Sequence, residues 1–93
     1  SDLKITLWLD DTNRRLHIKD DGEGIPHAKL SKIFEPFYTG SSIGSGIGLG
    51  MCKTIMEGLG GRIYCQSQQG EGSYAEFVME FPPVDEAKKV LGV

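Results

Sequence analysis

Two stretches of the chain hold residue types that could do chemistry. The first, DDGEGIP at residues 20–26, sets the carboxylates of Asp20, Asp21 and Glu23 around Gly22 and Gly24. The second, GSSIGSGIGLGM at residues 40–51, carries Gly40, Gly44, Gly46, Gly48 and Gly50, the last four alternating with Ser45, Ile47 and Leu49. Ordering a glycine costs conformational entropy. A run of this kind therefore implies a backbone that something must approach closely, or one that must change shape.

Spacing eliminates several chemistries. A P-loop would need glycines where Ile47 and Cys52 stand before Lys53 and Thr54. A dinucleotide fingerprint starting at Gly44, Gly46 or Gly48 meets Leu49, Met51 or Lys53 at its third glycine. GSSIG fits a nucleophile elbow with Ser42 at its centre, but that arrangement needs a histidine after the serine, and His17 and His27 both precede it. A calcium loop starting at Asp20 would place Ser31 where the closing glutamate belongs.

A physical reading survives. Glycines directly before a helix leave backbone N–H groups bare, and the helix dipole adds partial positive charge, so a phosphate can come close. A carboxylate in the acidic loop is a poor phosphate partner and a good acceptor for an amino group such as that of adenine. Either loop alone is ordinary turn chemistry. Together, in this order, they suggest a nucleotide held between them.

The flanking elements must position these loops. Leu3, Ile5, Leu7 and Leu9 alternate with Lys4, Thr6 and Trp8, which predicts a half-buried strand. The turn cluster at residues 10–13 leads into a second strand with Leu16 and Ile18 on one face, completing a hairpin. Pro26 suits the first turn of a helix running to about Glu35, with Leu30, Ile33, Phe34 and Phe37 as one apolar stripe that Pro36 ends. After the glycine segment, Leu49, Cys52, Ile55, Met56 and Leu59 keep helical spacing until Gly60 and Gly61 stop it. A third strand holds Ile63 and Cys65. A fourth alternates Ala75, Phe77, Met79 and Phe81 with Glu76, Val78 and Glu80, and ends at Pro82 and Pro83. The expected fold class is α/β (α+β): a two-layer sandwich with a mixed, mostly antiparallel sheet of about four strands and two helices on one face. Residues 83–93 are expected as a short amphipathic tail or linker.

Composition narrows the class further. The chain has 93 residues, a net charge of −3 and 39% hydrophobic residues, ordinary for one small globular domain or part of one. The negative charge argues against nonspecific nucleic-acid binding. No run is long and apolar enough for a membrane span, and no signal-peptide pattern is present. Cys52 and Cys65 lack C-x-x-C spacing and a paired histidine, so they read as free thiols in a reducing cytosol.

The order DDGEGIP, IFEPFYTG, GSGIGLGM and GGRIYCQSQQGEGS, followed by a strand ending in proline, resembles the catalytic, ATP-binding domain of sensor histidine kinases. These belong to the Bergerat-fold ATPases, with gyrase and Hsp90. The resemblance runs from about Leu16 to Pro82 and identifies residues 1–82 as the C-terminal portion of such a domain. It implies that Asp20 accepts a hydrogen bond from the adenine amino group and that Gly22 and Gly24, with Ile25, form the wall beside the base. Gly44, Gly46 and Gly48, with Ile47 and Leu49, would border the phosphates. Phe34 and Phe37 would anchor a mobile lid, and Ser73 stands near a strand threonine that reaches adenine through water.

The resemblance further implies ATP and Mg²⁺ as cofactors, and transfer of the γ-phosphoryl to a histidine of a separate helical domain and then to a response-regulator receiver. A cytoplasmic location follows, or the cytoplasmic part of a membrane-bound sensor. The family's Mg²⁺-binding asparagine lies before the hairpin, while Asn13, the only asparagine, sits in a turn. Residues 38–43 of the lid hold no Lys or Arg. This chain alone is therefore expected to be inactive, with a degenerate, non-catalytic interaction module as the alternative. An uncovered face around Leu3, Ile5 and Leu7 would favour self-association.

Overall fold

The computed structural model describes residues 3–35 and 48–93. Strands β1 (Ile5–Asp10) and β2 (Arg15–Asp20) are followed by the short helix α1 (His27–Leu30) and by α2 (Gly48–Gly58). Then come β3 (Arg62–Gln68), β4 (Tyr74–Glu80) and α3 (Val84–Leu91). The sheet order is β1-β2-β4-β3. Every pairing among the described residues is antiparallel, so the sheet is simpler than the mixed one expected.

The hairpin forms where the sequence places it. Asp10 closes the turn, its carboxylate accepting from the Asn13 backbone N–H at 3.2 Å and from the Asn13 amide at 2.9 Å. Arg14 takes φ 54°. It ties the turn to the end of β4: the Phe81 N–H donates to its carbonyl at 2.8 Å, and its Nε donates to the Phe81 carbonyl at 3.0 Å.

Alternation divides the sheet into two unlike faces. One carries Ile5, Leu7, Leu9, Leu16, Ile18, Ile63, Cys65, Ala75, Phe77 and Met79. It is covered on the β3–β4 side, where α2 packs and buries Met56, and where Phe34 meets Phe77 edge-on at 6.3 Å. On β1 it is open: Leu3, Ile5, Leu7 and Leu9 are 58–69% exposed.

The other face is a polar ladder. Trp8 stacks on His17 at 4.7 Å, and His17 Nδ1 meets Glu76 at 3.0 Å. Glu80 bridges Arg15 at 2.8 Å and Arg62 at 2.9 Å. Val78 was expected among the polar positions of β4, yet at 1% exposure it is the most deeply buried core residue among those described. Its strand neighbours explain this, since His17 and Tyr64 stand directly beside it on β2 and β3 and exclude water.

One expected element differs. The helix from Pro26 to about Glu35 is only α1, followed by turns in which Lys32 donates to Lys29 and Glu35 to Lys32, each at 2.9 Å. Pro26 provides no side-chain cap, and so short a segment cannot nucleate a helix on propensity alone. Burial of Ile33 and packing of Phe34 fix it instead as successive tight turns. The tail, expected as a short amphipathic segment or linker, is helical in α3. Asp85 and Glu86 lie in its first turn and Lys88 and Lys89 in its last, matching the helix dipole, and Gly92 caps it at φ 73°.

α2 stops as expected: the Gly61 N–H returns to the Met56 carbonyl at 2.8 Å. A Cβ on Gly61 would strike the Glu80 carbonyl, so the helix end and β4 touch backbone to backbone.

Candidate nucleotide site

The end of β2 carries Asp20 on the same face as Leu16 and Ile18, and the acidic loop turns back immediately after it. Asp20 Oδ1 accepts the Gly22 N–H at 3.0 Å, which fixes the carboxylate and leaves Oδ2 as its second acceptor. Across the sheet, Asp20 pairs with Ala75 on β4, and Ala75 with Ser67 on β3. A carboxylate, a methyl group and a hydroxyl thus lie side by side on one face. Such a floor, small in the middle and polar at both ends, suits a flat heteroaromatic ring with a donor at one edge.

Gly24 is the tightest point of the loop. Its φ is +79°, and a Cβ there would strike the Gln68 carbonyl of β3. A Cβ at Gly22 would come within 3.0 Å of Asp20 Oδ1 and 3.3 Å of Leu3. Two serines clamp the loop onto the sheet. Ser67 Oγ accepts the Ile25 N–H at 2.6 Å and donates to the Tyr74 carbonyl at 2.7 Å. Ser73 Oγ donates to the Gly22 carbonyl at 2.6 Å.

Ser73, expected near the base, braces the loop that carries Gly22. Ser67, which motif reading missed, holds the same loop from β3. Its signal was its parity with Ile63 and Cys65 on β3, together with the register that sets it beside Ala75.

The second half of the site begins α2. Gly48 opens the helix, Leu49 is half-buried and Gly50 is buried, with the Thr54 hydroxyl donating to its carbonyl at 3.1 Å. Among the described residues nothing stands within 4 Å of a Cβ built on Gly48, so their packing does not require glycine there. Phe34 lies between the sheet and α2, with Lys53 Nζ 6.0 Å from its ring. Phe37, Gly44, Gly46 and Ile47 lie outside the described residues.

Electrostatics around the sheet are local. Glu80 is held below its ordinary range by Arg15 and then Arg62, and Asp10 by its hydrogen bonds to Asn13. Burial pushes the Cys65 thiol up to about 11, consistent with a structural rather than a reactive cysteine. A cavity of about 440 Å³ touches Asp20 and Asp21, but Lys4, Thr6, Trp8 and Lys19 complete its lining. It belongs to the polar ladder rather than to the floor of Asp20, Ala75 and Ser67. Among the described residues no group of three or more His, Cys, Asp or Glu could hold a metal ion. No helix among them is long and apolar enough to cross a membrane.

Comparison with known proteins identifies the family. The chain is 44% identical over 71 residues to the CAI-1 autoinducer sensor kinase/phosphatase CqsS of Vibrio cholerae, covering 75% of this chain and 10% of that one. It is 38% identical over 90 residues to the autoinducer 1 sensor kinase/phosphatase LuxN of Vibrio campbellii, covering 96% of this chain and 10% of that one. The chain thus spans about a tenth of the length of these relatives. Among solved structures, the catalytic domain of histidine kinase ThkA superposes with a TM-score of 0.72 at 31% identity, over 86% of this chain and 53% of that one. The mycobacterial sensor histidine kinase MprB superposes with a TM-score of 0.60 at 25% identity, over 87% of this chain and 59% of that one. The family described as histidine kinase-, DNA gyrase B-, and HSP90-like ATPase matches residues 1–85. With a family match over most of its length, the chain belongs to that ATPase family.

Proposed function

We propose that this chain is the part of a sensor histidine kinase's ATP-binding domain that holds the adenine. The observation that carries the reading is the Asp20 carboxylate, oriented by the Gly22 N–H and set beside Ala75 and Ser67 on one face of the sheet. In the parent protein the nucleotide supplies a γ-phosphoryl group, which passes to a histidine of a helical domain and then to a response regulator. The residues of this chain bind and orient. Asp20 Oδ2 accepts from the adenine amino group, and Gly22, Gly24 and Ile25 form the wall beside the base. Ser67 and Ser73 hold that wall in place. Gly48 and Leu49 offer backbone N–H groups at the start of α2, where partial positive charge favours phosphate. The site faces the cytoplasm in this reading, where the nucleotide is available.

Calorimetric titration with ADP and Mg²⁺, of the chain and of Asp20→Asn, tests this. An asparagine can keep the Gly22 hydrogen bond through its carbonyl oxygen but turns a donor toward the adenine amino group. Binding that weakens about 10–100-fold in the variant, equivalent to about 1–3 kcal/mol for an unsatisfied buried group, supports the reading. Equal binding by both, with unchanged circular dichroism, would remove Asp20 from the site. Absence of binding by the folded chain would leave the non-catalytic interaction module as the better account.

A further inference from the structure

The acidic loop holds two adjacent aspartates, and only Asp20 has a part in the nucleotide reading. Asp21 turns the other way. Its Oδ1 accepts the Lys4 N–H at 2.7 Å, and its own N–H donates to the Lys4 carbonyl at 3.2 Å. We propose that Asp21 is a positioning residue for the base: by anchoring the loop to Lys4, just ahead of β1, it fixes the direction in which the Asp20 carboxylate points. This inference rests on the nucleotide reading and deepens it.

Register sets up the contact. Ile5 and Asp20 end the β1–β2 ladder, so Lys4 and Asp21 stand opposite each other one step beyond it. A hydrogen-bonded antiparallel pair exchanges both of its N–H···O bonds between backbones. Here only one of the two is backbone to backbone. The Asp21 carboxylate takes the place of its own carbonyl and accepts the second N–H, so the strand end stays held while the backbone turns away. Short polar side chains can substitute for backbone in this way, and they favour the point where a strand becomes a loop.

The consequence for Asp20 follows from adjacency. Asp20 Oδ1 accepts the Gly22 N–H at 3.0 Å, so the bond that orients this carboxylate spans Asp21. Moving Asp21 moves both ends of it. Leu3 reinforces the restraint, since a Cβ on Gly22 would lie 3.3 Å from its Cδ1. Ser73 holds the Gly22 carbonyl from β4, and Ser67 holds the Ile25 N–H from β3. Asp21 anchors the opposite side of the loop, toward β1. A loop held from β3 and β4 alone keeps its wall beside the base but lets the Asp20 carboxylate swing. An acceptor selects its donor only while supporting contacts fix its geometry. Loss of the Asp21 anchor should therefore remove preference for the amino group before it removes affinity for the rest of the nucleotide.

Calorimetric titration with ADP and with inosine diphosphate, each with Mg²⁺, separates the two effects. Inosine diphosphate keeps the sugar and phosphates but carries an oxo group in place of the amino group. The wild-type chain should bind ADP about 10-fold or more tightly than inosine diphosphate, as a lost hydrogen bond to a charged group implies. Asp21→Ala should bring the two affinities close to equality, chiefly by weakening ADP. Its bond to Lys4 is exposed, so the fold should survive the change. Asp21→Asn, whose amide oxygen still accepts the Lys4 N–H, should restore the preference. A purely structural role would lower both affinities together and keep their ratio; that result would overturn the proposal and leave Asp20 in the site. An asparagine variant as unselective as the alanine would also overturn it, because charge rather than the anchoring bond would then be responsible. A wild-type chain that binds neither nucleotide, or both equally, would end the reading of Asp20 and this inference with it. Should Asp21→Ala lose its circular dichroism, Asp21→Ser, whose side chain falls short of Lys4, carries the same expectation.

Discussion

Ser67 holds Ile25 in place from the neighbouring strand: its Oγ accepts the Ile25 N–H at 2.6 Å while donating to the Tyr74 carbonyl at 2.7 Å. One hydroxyl thus joins the acidic loop, β3 and the start of β4. Ser67→Ala removes the acceptor and the donor together and leaves two backbone groups short of partners. A loss of about 1–3 kcal/mol in urea unfolding is expected. ADP affinity should also fall, because the wall at Gly24 and Ile25 loosens. Ser67→Thr, which keeps the hydroxyl, should restore both. Stability unchanged by the alanine would show that water replaces the hydroxyl at no cost.

The two glycines at the ends of the site should respond in opposite ways. Gly24→Ala places a Cβ against the Gln68 carbonyl at φ +79°, and the left-handed conformation alone costs about 1–2 kcal/mol. This variant should unfold at markedly lower urea or fail to fold. Gly48→Ala meets nothing within 4 Å among the described residues, and at the first position of α2 alanine carries no φ penalty of the kind Gly24 would impose. It should fold as well as the parent, yet bind ADP more weakly if the start of α2 borders the phosphates. Calorimetry and urea melts on the same samples separate the two effects. Full ADP affinity in a folded Gly48→Ala protein would take Gly48 out of the site.

How much of this was legible in the sequence depends on which interactions decide each element. The hairpin, β3, β4 and both ends of α2 follow from local period and turn residues, and they stand where those predict. Residues 26–35 do not, because an i, i+3, i+4 stripe fits an α-helix and a chain of tight turns equally. The choice fell to Ile33 and Phe34 packing on the sheet. Val78 alternates with Phe77 and so reads as outward-facing. Only the register that sets it between His17 and Tyr64 reveals its burial. The candidate site shows the same division. Asp20, Gly22 and Gly24 announce themselves by motif, whereas Ser67, in the unremarkable run CQSQQ, acquires its role only when β3 pairs with β4.

Acid should weaken the polar ladder through Glu80. Its carboxylate, accepting from Arg15 at 2.8 Å and Arg62 at 2.9 Å, titrates below its ordinary value of 4.5 in the folded chain. A depressed carboxylate binds fewer protons folded than unfolded, so its contribution is complete above that ordinary value and disappears as pH falls through the folded one. Asp10, lowered by its bonds to Asn13, acts in the same direction. The urea midpoint of the chain should therefore decline below about pH 4.5, the range set by these two groups. Glu80→Gln should start with a lower midpoint at pH 7, since Arg15 and Arg62 would share one neutral amide. It should then decline less steeply, and the two curves should converge once Glu80 is protonated in both folded and unfolded chains. Curves that stay parallel down to about pH 3 would mean that the bridge orients its arginines without adding to stability, as surface ion pairs often do.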